Sequence, residues 1–333
     1  MRYGFDSRWT TRIDGTFTAV FLILTSHDGF LLVSTGELWY NCKKQKGGRL
    51  LNGKKLCGRA AALAAAAMIT VAGVFAVADS KYNIRTTKYE LEFSELPAEF
   101  DGFRIVHLSD LHGSCFGENN SRLAELVKEQ KPDIIALTGD FASNLSQLEA
   151  TQKLLEELSG SAPIYYVSGN HEWAGGIVPR VRRLLSGYGV SFIDNESCPI
   201  SRGESRIVIA GSEDPNGHAD SLKPVEFVEK LREEYPEEFL LLLGHRNYWV
   251  KKYPQLPVQL ILSGHAHGGI VRLPLIGGLL STDHNFIAEY EKGLYRGDDY
   301  IMEVSTGLGN SIFVPRLFNP PEIVCITLRS SLS

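Results

Sequence analysis

The chain has 333 residues, 44% of them hydrophobic and 22% charged, with a formal net charge of -5. That balance suits a globular chain with a sizeable core and excludes nucleic-acid recognition through bulk positive charge. Its five cysteines, Cys42, Cys57, Cys115, Cys198 and Cys325, show no CxxC spacing, which excludes a zinc knuckle and gives no disulfide framework.

Residues 1–55 fit no globular pattern. Two apolar patches, FTAVFLIL and FLLV, are separated by TSHDG, and neither is long enough to span a bilayer. The segment reads as an N-terminal extension: either a start assigned too far upstream, with initiation near Leu50 or Leu51, or a disordered tail. Residues 60–78 then read AAALAAAAMITVAGVFAVA, without a charge. About 20 apolar residues cross a bilayer as a helix. The basic flank GGRLLNGKKLCGR keeps the N-terminal side in the cytoplasm and puts the C-terminal side outside. The run ends on Ala76-Val77-Ala78, a small-x-small cleavage pattern. Residues 56–81 are therefore expected to form a transmembrane anchor in a single-pass membrane protein with an extracytoplasmic domain. The alternative is a signal that is cleaved to release a secreted protein.

From residue 82 onward the pattern is regular. FRIVHLSD (103–110) is an apolar run closing in polar residues, and SRLAELVKEQ (121–130) has helical periodicity. PDIIALTGD (132–140) is a second strand, LSQLEATQKLLEELS (145–159) an amphipathic helix, APIYYVSGNHE (162–172) a third strand and VPRVRRLLSGYG (178–189) a helix with a glycine stop. Strands alternating with helices predict an α/β layered fold. The second half leans toward strand, in SRIVIAGSED (205–214), FLLLLGHR (239–246), VQLILSGHAHGG (258–269), YIMEVSTGLG (300–309) and EIVCITL (322–328). The acidic helix VEFVEKLREEY (225–235) lies among them. The prediction is two packed β-sheets flanked by helices, in one domain over 82–333, preceded by an N-terminal hydrophobic helix.

Polar residues collect where these strands end: Asp110 and His112, Asp140, Asn170 and His171, His245, His265 and His267. Strand ends share one edge of a sheet, where open α/β folds place ligands. Gly139, Gly169, Gly244 and Gly264 precede key residues, and glycine permits the sharp exit such a site needs. Carboxylate, imidazole and amide oxygen suit borderline divalent metals such as Mn, Fe and Zn. The donors are enough for two ions at the spacing of two-metal hydrolases. His265 and His267, two residues apart, point the same way if the strand continues through them.

The motifs DLH, GD, GNHE, GH and GHAHGG, in that order, resemble the calcineurin-like metallophosphoesterase family, in its YkuE/YaeI-like, membrane-associated branch. RIVHLSDLHGS, GGIVRLPLIGG, GLY at 293–295 and FNPPEI at 318–323 extend the likeness from about Phe103 to the C-terminus. The resemblance implies a four-layer fold and a dinuclear metal centre of Mn, Fe or Zn. Asp110, His112 and His267 would hold one ion, Asn170, His245 and His265 the other, with Asp140 bridging. A hydroxide between the ions would attack phosphorus in line. His171 would serve as general acid or stabilise the leaving oxygen, and Asn170 could touch a phosphate oxygen. Glu172 stands where the motif often has aspartate, and would orient His171 or the turn at Asn170. The tetrad GHRN at 244–247 departs from the usual pattern after the histidine.

Around that set, Arg246 and Arg272 are candidates to meet a phosphate, against the ordinary reading of solvated arginines. Trp173 would line the cleft or pack the turn. His107 reads as a packed core histidine and Cys115 as a bystander, while His218, Asn216, Asp283 and His284 are weaker candidates on loops. The implied activity is phosphodiesterase or phosphatase, on a phosphoester substrate of the cell envelope, possible lipid linkage following from the membrane segment. An alternative is a pyrophosphatase acting like UDP-2,3-diacylglucosamine pyrophosphatases of lipid A synthesis. A non-catalytic scaffold of the same fold would have lost ligands, and this sequence keeps all seven.

Overall fold

The computed structural model describes residues 23–26, 29–34, 37–42, 51–218, 222–273, 275–280 and 289–331, with backbone alone up to residue 61. The chain divides into two compact units, Met1–Ala67 and Met68–Ser333. In the first unit β1 (Ile23–Ser26), β2 (Gly29–Ser34) and β3 (Glu37–Cys42) pair as an antiparallel meander. The start-site and disordered-tail expectations for residues 1–22 and 43–50 lie outside the described residues. Helix α1 (Leu51–Tyr82) has 32 residues. Its stretch Ala62–Tyr82 is long and apolar enough to cross a membrane, with a mean hydropathy of 2.0. Leu63, Ile69, Val71 and Phe75 lie exposed along it.

The second unit continues with β4 (Arg85–Phe93), β5 (Arg104–Leu108), α2 (Ser121–Glu129), β6 (Ile134–Thr138), α3 (Leu148–Leu158), β7 (Ile164–Val167), α4 (Asn170–Ala174), α5 (Val178–Gly187) and β8 (Ser191–Phe192). Next come β9 (Glu196–Arg202), β10 (Ser205–Gly211), α6 (Pro224–Glu234), β11 (Phe239–Leu243), α7 (Trp249–Lys252) and β12 (Leu260–Ser263). The last elements are β13 (Arg272–Leu273), β14 (Gly277–Gly278), β15 (Gly293–Arg296), β16 (Ile301–Val304) and β17 (Glu322–Ser330).

Two six-stranded sheets carry the unit, one in the order β4-β17-β5-β6-β7-β8 and the other β15-β16-β12-β11-β10-β9. Central strands β6 and β11 are buried at every position, because each lies between parallel neighbours and is covered on both faces. Between the sheets, Ile105, Val167, Ile209, Leu241, Leu262 and Val324 form the inner core. Leucines of α2, α3 and α5 pack on the outside of the first sheet. Residues Phe227, Val228 and Leu231 of α6 and Trp249 of α7 pack on the outside of the second. The result is the expected four layers. The C-terminal strand β17 returns to the first sheet and pairs parallel with β4 and antiparallel with β5.

Candidate metal centre

Parallel strands of both sheets end at one rim. Asp110 and His112 follow β5, Asp140 follows β6, Asn170 opens α4 after β7, His245 follows β11, and His265 and His267 follow β12. The loops after β5 and β6 are held together by backbone: Asp110 N–H donates to the Gly139 carbonyl, His112 N–H to that of Asp140 and Gly113 N–H to that of Phe141, each at 3.0 Å. Gly139 has a φ of 78°, and a Cβ there would overlap the backbone nitrogen of Gly169. At Gly264 the approach is tighter still, since a Cβ would overlap the Ser109 hydroxyl and the Asp110 carboxylate.

These exits demand left-handed backbone at residues that are not glycine. Asp110, His112, Asp140, His265 and His267 have φ of 54°, 46°, 56°, 67° and 47°. Such a conformation costs about 1–2 kcal/mol per L-residue, and persists where the surroundings fix it and the side chain is needed. Five of the seven expected ligands carry this strain. The strand does not continue through His265 and His267, so the condition under which they would point the same way is not met. β12 stops at Ser263, and two left-handed residues flank Ala266, which is right-handed (φ -77°, ψ -15°). The two imidazoles consequently meet different partners.

His267 Nε2 lies 3.3 Å from His112 Nε2 and 3.4 Å from Asp110 Oδ1. His265 Nδ1 lies 3.2 Å from His245 Nε2, which is 3.1 Å from both Asn170 Oδ1 and Asp140 Oδ2. Asp140 Oδ2 is also 3.8 Å from His112 Nε2. Ligand atoms within 4.8 Å of one another thus group as Asp110, His112 and His267, and as Asp140, His245 and His265. A third group, His112, Asp140 and His171, overlaps the first two.

Asp140 Oδ2 is buried, and its contact with His245 is not aligned as a hydrogen bond, so it has no hydrogen-bond partner. A buried carboxylate oxygen without an aligned donor calls for a cation beside it, which is the His245 imidazolium in the metal-free protein and would be a metal ion in the loaded one. Close Nε2–Nε2 and Nδ1–Nε2 approaches leave room for at most one proton each, so lone pairs face a shared space. Two carboxylates, four imidazoles and an amide oxygen match a borderline divalent ion.

The electrostatics agree with lone pairs held ready. Burial, together with the neighbouring His267, takes the His112 imidazole down to about 3. Burial also lowers His265, with His245 and Arg246 adding to it, and lowers His267. His245 is the exception. Burial pulls it down, but Asp140, Asp110 and Asp214 outweigh this and raise it to about 10. Its Nδ1 lies 2.7 Å from the Thr138 carbonyl, which accepts only, so Nδ1 carries a proton and Nε2 faces the cluster.

A family model described as calcineurin-like phosphoesterase matches residues 103–269, which contain all seven cluster residues. The uncharacterized metallophosphoesterase YkuE of Bacillus subtilis is 30% identical over 284 residues, covering 83% of this chain and 96% of the relative. Phosphodiesterase YaeI of Escherichia coli is 28% identical over 232 residues, covering 68% and 82%. A transmembrane protein with metallophosphoesterase domain from Danio rerio is 26% identical over 278 residues, covering 78% and 61%. The chain belongs to the calcineurin-like phosphoesterase family. It is a phosphoester hydrolase, and its histidine–aspartate cluster fits the divalent-metal site of that family.

Several residues of this phosphoesterase support the cluster. Glu172 is fully buried, and its carboxylate is engaged by backbone N–H groups and Tyr166. Its Oε2 accepts from the backbone N–H of Gly169 at 2.9 Å and of Asp140 at 3.0 Å. Its Oε1 accepts from Phe141 at 2.7 Å, Ala142 at 3.1 Å and the Tyr166 hydroxyl at 2.9 Å. One carboxylate therefore fastens the Asp140 turn to the Asn170 turn. Burial, with Asp140 adding to it, pushes its carboxyl up to about 7, opposed by those donors.

Ser143, unmarked by any motif, sits between the Nδ1 atoms of His112 (3.4 Å) and His171 (3.0 Å). Arg246 is held by Asp214 through Nε–Oδ2 at 2.7 Å and Nη2–Oδ1 at 3.2 Å, and its Nη1 lies 3.2 Å from His265 Nε2. Arg272 donates to the Gly268 carbonyl at 2.8 Å.

Trp173 is partly buried and donates from Nε1 to the Ser168 hydroxyl at 2.7 Å, with its ring centroid 4.9 Å from that of exposed His218. Asn216 donates its backbone N–H to Asp214. His107 is buried between Glu303 (2.6 Å) and Thr138 (2.7 Å), and Cys115 is exposed and free. Asp283 and His284 lie outside the described residues.

Proposed function

We propose that this phosphoesterase is a membrane-anchored enzyme that binds two divalent ions and cleaves a phosphodiester or phosphomonoester of a cell-envelope or lipid-linked substrate outside the cytoplasm. The observation that supports the reading is Asp140 Oδ2, buried and without an aligned hydrogen-bond donor, lying 3.1 Å from His245 Nε2 and 3.8 Å from His112 Nε2. Asp110, His112 and His267 would hold one ion, Asn170, His245 and His265 the other, and Asp140 both. Bound divalent ions draw charge from phosphoryl oxygens and make hydroxide available at neutral pH.

His171 would act on the leaving group. Its side chain keeps 33% of its exposure, against 1% for those of His112 and Asp140, and Ser143 orients its Nδ1. Its Nε2 is 3.9 Å from Asp140 Oδ2, close enough to share the substrate without completing the ligand set. His171→Ala is expected to lower kcat for alkyl phosphodiesters about a hundredfold or more, the usual share of a general acid. It should largely spare p-nitrophenyl esters, whose leaving group needs no proton, and leave metal content unchanged. Equal losses on both substrate types would remove the acid role.

Metal uptake has a proton signature. Below its raised value of about 10, metal-free His245 is an imidazolium, whereas a ligand must be neutral. The lowered values of His112, His265 and His267 mean those rings have no proton to shed at pH 8. Loading at pH 8 is expected to release at least one proton, that of His245, whose share fades as pH passes about 10, with any from metal-bound water adding to it. Binding enthalpies in two buffers of different ionisation enthalpy measure the release, and no buffer dependence at pH 8 contradicts the assignment.

The basic residues Arg49, Lys54, Lys55 and Arg59 before the apolar stretch support an outward-facing catalytic unit. Burial of Ala76 and Ser80 supports an anchor over a cleaved signal, since cleavage after Ala78 would cut a packed helical turn. Full-length protein in detergent is expected to hydrolyse bis-p-nitrophenyl phosphate with added Mn²⁺ and to lose that activity with chelator. Inactivity with every divalent ion tried would refute the enzyme reading, and protease protection of the catalytic unit in intact cells would refute its topology.

A further inference from the structure

Helix α1 enters the catalytic unit at the rim that carries the metal cluster. β4 starts at Arg85, pairs parallel with β17 and places Arg85 opposite Glu322. β17 runs antiparallel to β5, with Val324 opposite His107, so the beginning of β17 and the end of β5 share one edge. The chain therefore leaves α1 at the edge where β5 delivers Asp110. The link is also direct. Asn319 donates its backbone N–H to Ser80 Oγ of α1 at 3.0 Å, and its side-chain amide to the carbonyls of His267 (2.7 Å) and Ile270 (3.2 Å).

Two loops flank this link and present large apolar side chains to solvent. Leu275 and Ile276 form the tip of the β13–β14 hairpin, and Ile312, Phe313, Val314 and Phe318 lie on the loop before β17. Leu275 and Phe313 are wholly exposed, at 108% and 103%. The loops are joined by backbone, Arg272 N–H to the Leu317 carbonyl at 2.9 Å and Leu317 N–H to that of Ile270 at 3.2 Å. Their shape is built. Asn310 donates to the carbonyls of Ile312 and Val314, and buried Arg316 donates to those of Gly307, Gly309, Asn319 and Pro320. Leu275 and Phe318 hold left-handed backbone, φ 69° and 53°, which bulky residues seldom adopt. Large apolar side chains gathered in the open on such a frame mark a binding surface. The exit of a membrane-length helix beside it identifies the partner as lipid.

We propose that these two loops form a bilayer-contact face, seated in the lipid surface from which α1 emerges. That face holds the metal rim against the membrane, so a phosphoester in a lipid headgroup reaches the cluster from the interface. Ser311 Oγ, on the same loop as Phe313, lies 3.3 Å from His267 Nε2. The inference rests on reading α1 as an anchor, and the experiment separates the two.

Full-length protein carrying p-benzoylphenylalanine at Leu275, Phe313, Phe75 or Glu204 is placed in nanodiscs of palmitoyl-oleoyl phosphatidylethanolamine and phosphatidylglycerol, irradiated and weighed intact. Phe75 reports the anchor itself. Glu204, in the β9–β10 hairpin, reports the opposite strand ends. The expected result is a mass increase of one lipid for probes at 275, 313 and 75, and none at 204. Lipid adducts at 75 without any at 275 and 313 overturn the contact face while leaving the anchor intact. Absence of adducts at all four positions overturns both, and protein–protein adducts at 275 or 313 overturn lipid as the partner. Mn²⁺-dependent hydrolysis of bis-p-nitrophenyl phosphate by the same preparations reports the catalytic reading independently of any of these.

Discussion

Asp140→Asn is expected to lower turnover by roughly a thousandfold or more, beyond the 10–100-fold typical of residues that only support a metal ligand. Its carboxylate lies near His245 and His265 on one side and His112 on the other, so in the proposed two-ion centre one substitution would weaken both ions. Metal content should fall below two per chain. The local turn should be kept. Asparagine tolerates the left-handed backbone that Asp140 adopts at φ 56°. Its amide oxygen can still accept from the His171 N–H, now bonded to Asp140 Oδ1 at 2.8 Å. Because Asp140 also faces the His245 imidazolium at 3.1 Å, the metal-free variant is expected about 3 kcal/mol below the metal-free parent, the usual loss when one partner of a buried pair is removed. Elemental analysis, turnover on bis-p-nitrophenyl phosphate and denaturant melts with chelator check the three parts. Wild-type turnover with full metal occupancy would remove Asp140 from the centre.

Glu172→Gln should do the reverse, damaging the fold first and activity through it. Five donors converge on the carboxylate, four of them backbone N–H groups. Glutamine offers one acceptor oxygen and turns an NH₂ toward the remaining donors. At least two buried N–H groups then lose their partner, at about 1–3 kcal/mol each. A total near 4 kcal/mol lowers Tm by roughly 10 °C in a unit of this size. Because the same carboxylate sets the Asp140 and Asn170 turns, kcat should also fall, with the proportion of bound metal falling alongside. Glu172→Asp keeps the charge but shortens the reach, and a smaller loss is expected. Unchanged melting of the glutamine variant would contradict the role given to Glu172.

The cluster of candidate ligands is legible in the sequence because each member closes an apolar run through a glycine or a short polar turn. Apolar runs and their order also make the two sheets and four layers readable. The features that escape depend on contacts between distant segments. Nothing local marks Ser143 as the residue between His112 and His171, or Asp214 as the partner of Arg246. For Glu172 the motif position suggests an orienting role, but three of its five donors come from a loop about 30 residues earlier. β4, in TTKYELEF, alternates but carries no site residue to single it out, and the return of β17 to the first sheet is a topological choice that periodicity does not encode. At His265 and His267 the period-two argument holds only for extended backbone. Two consecutive metal-facing turns instead require left-handed backbone at histidine, a local penalty that only the assembled site sustains.

The strain is itself informative. Five left-handed, non-glycine residues at one rim would be wasteful in a binding scaffold without ions. They are intelligible if each side chain must reach an ion from a crowded turn.

The most direct test of a two-ion centre is a titration of chelated, full-length protein with Mn²⁺, with bound metal and bis-p-nitrophenyl phosphate turnover measured in the same samples. Turnover is expected to rise until two ions are bound per chain and then level off. A maximal rate reached with one ion bound, or two ions bound without turnover, would contradict it.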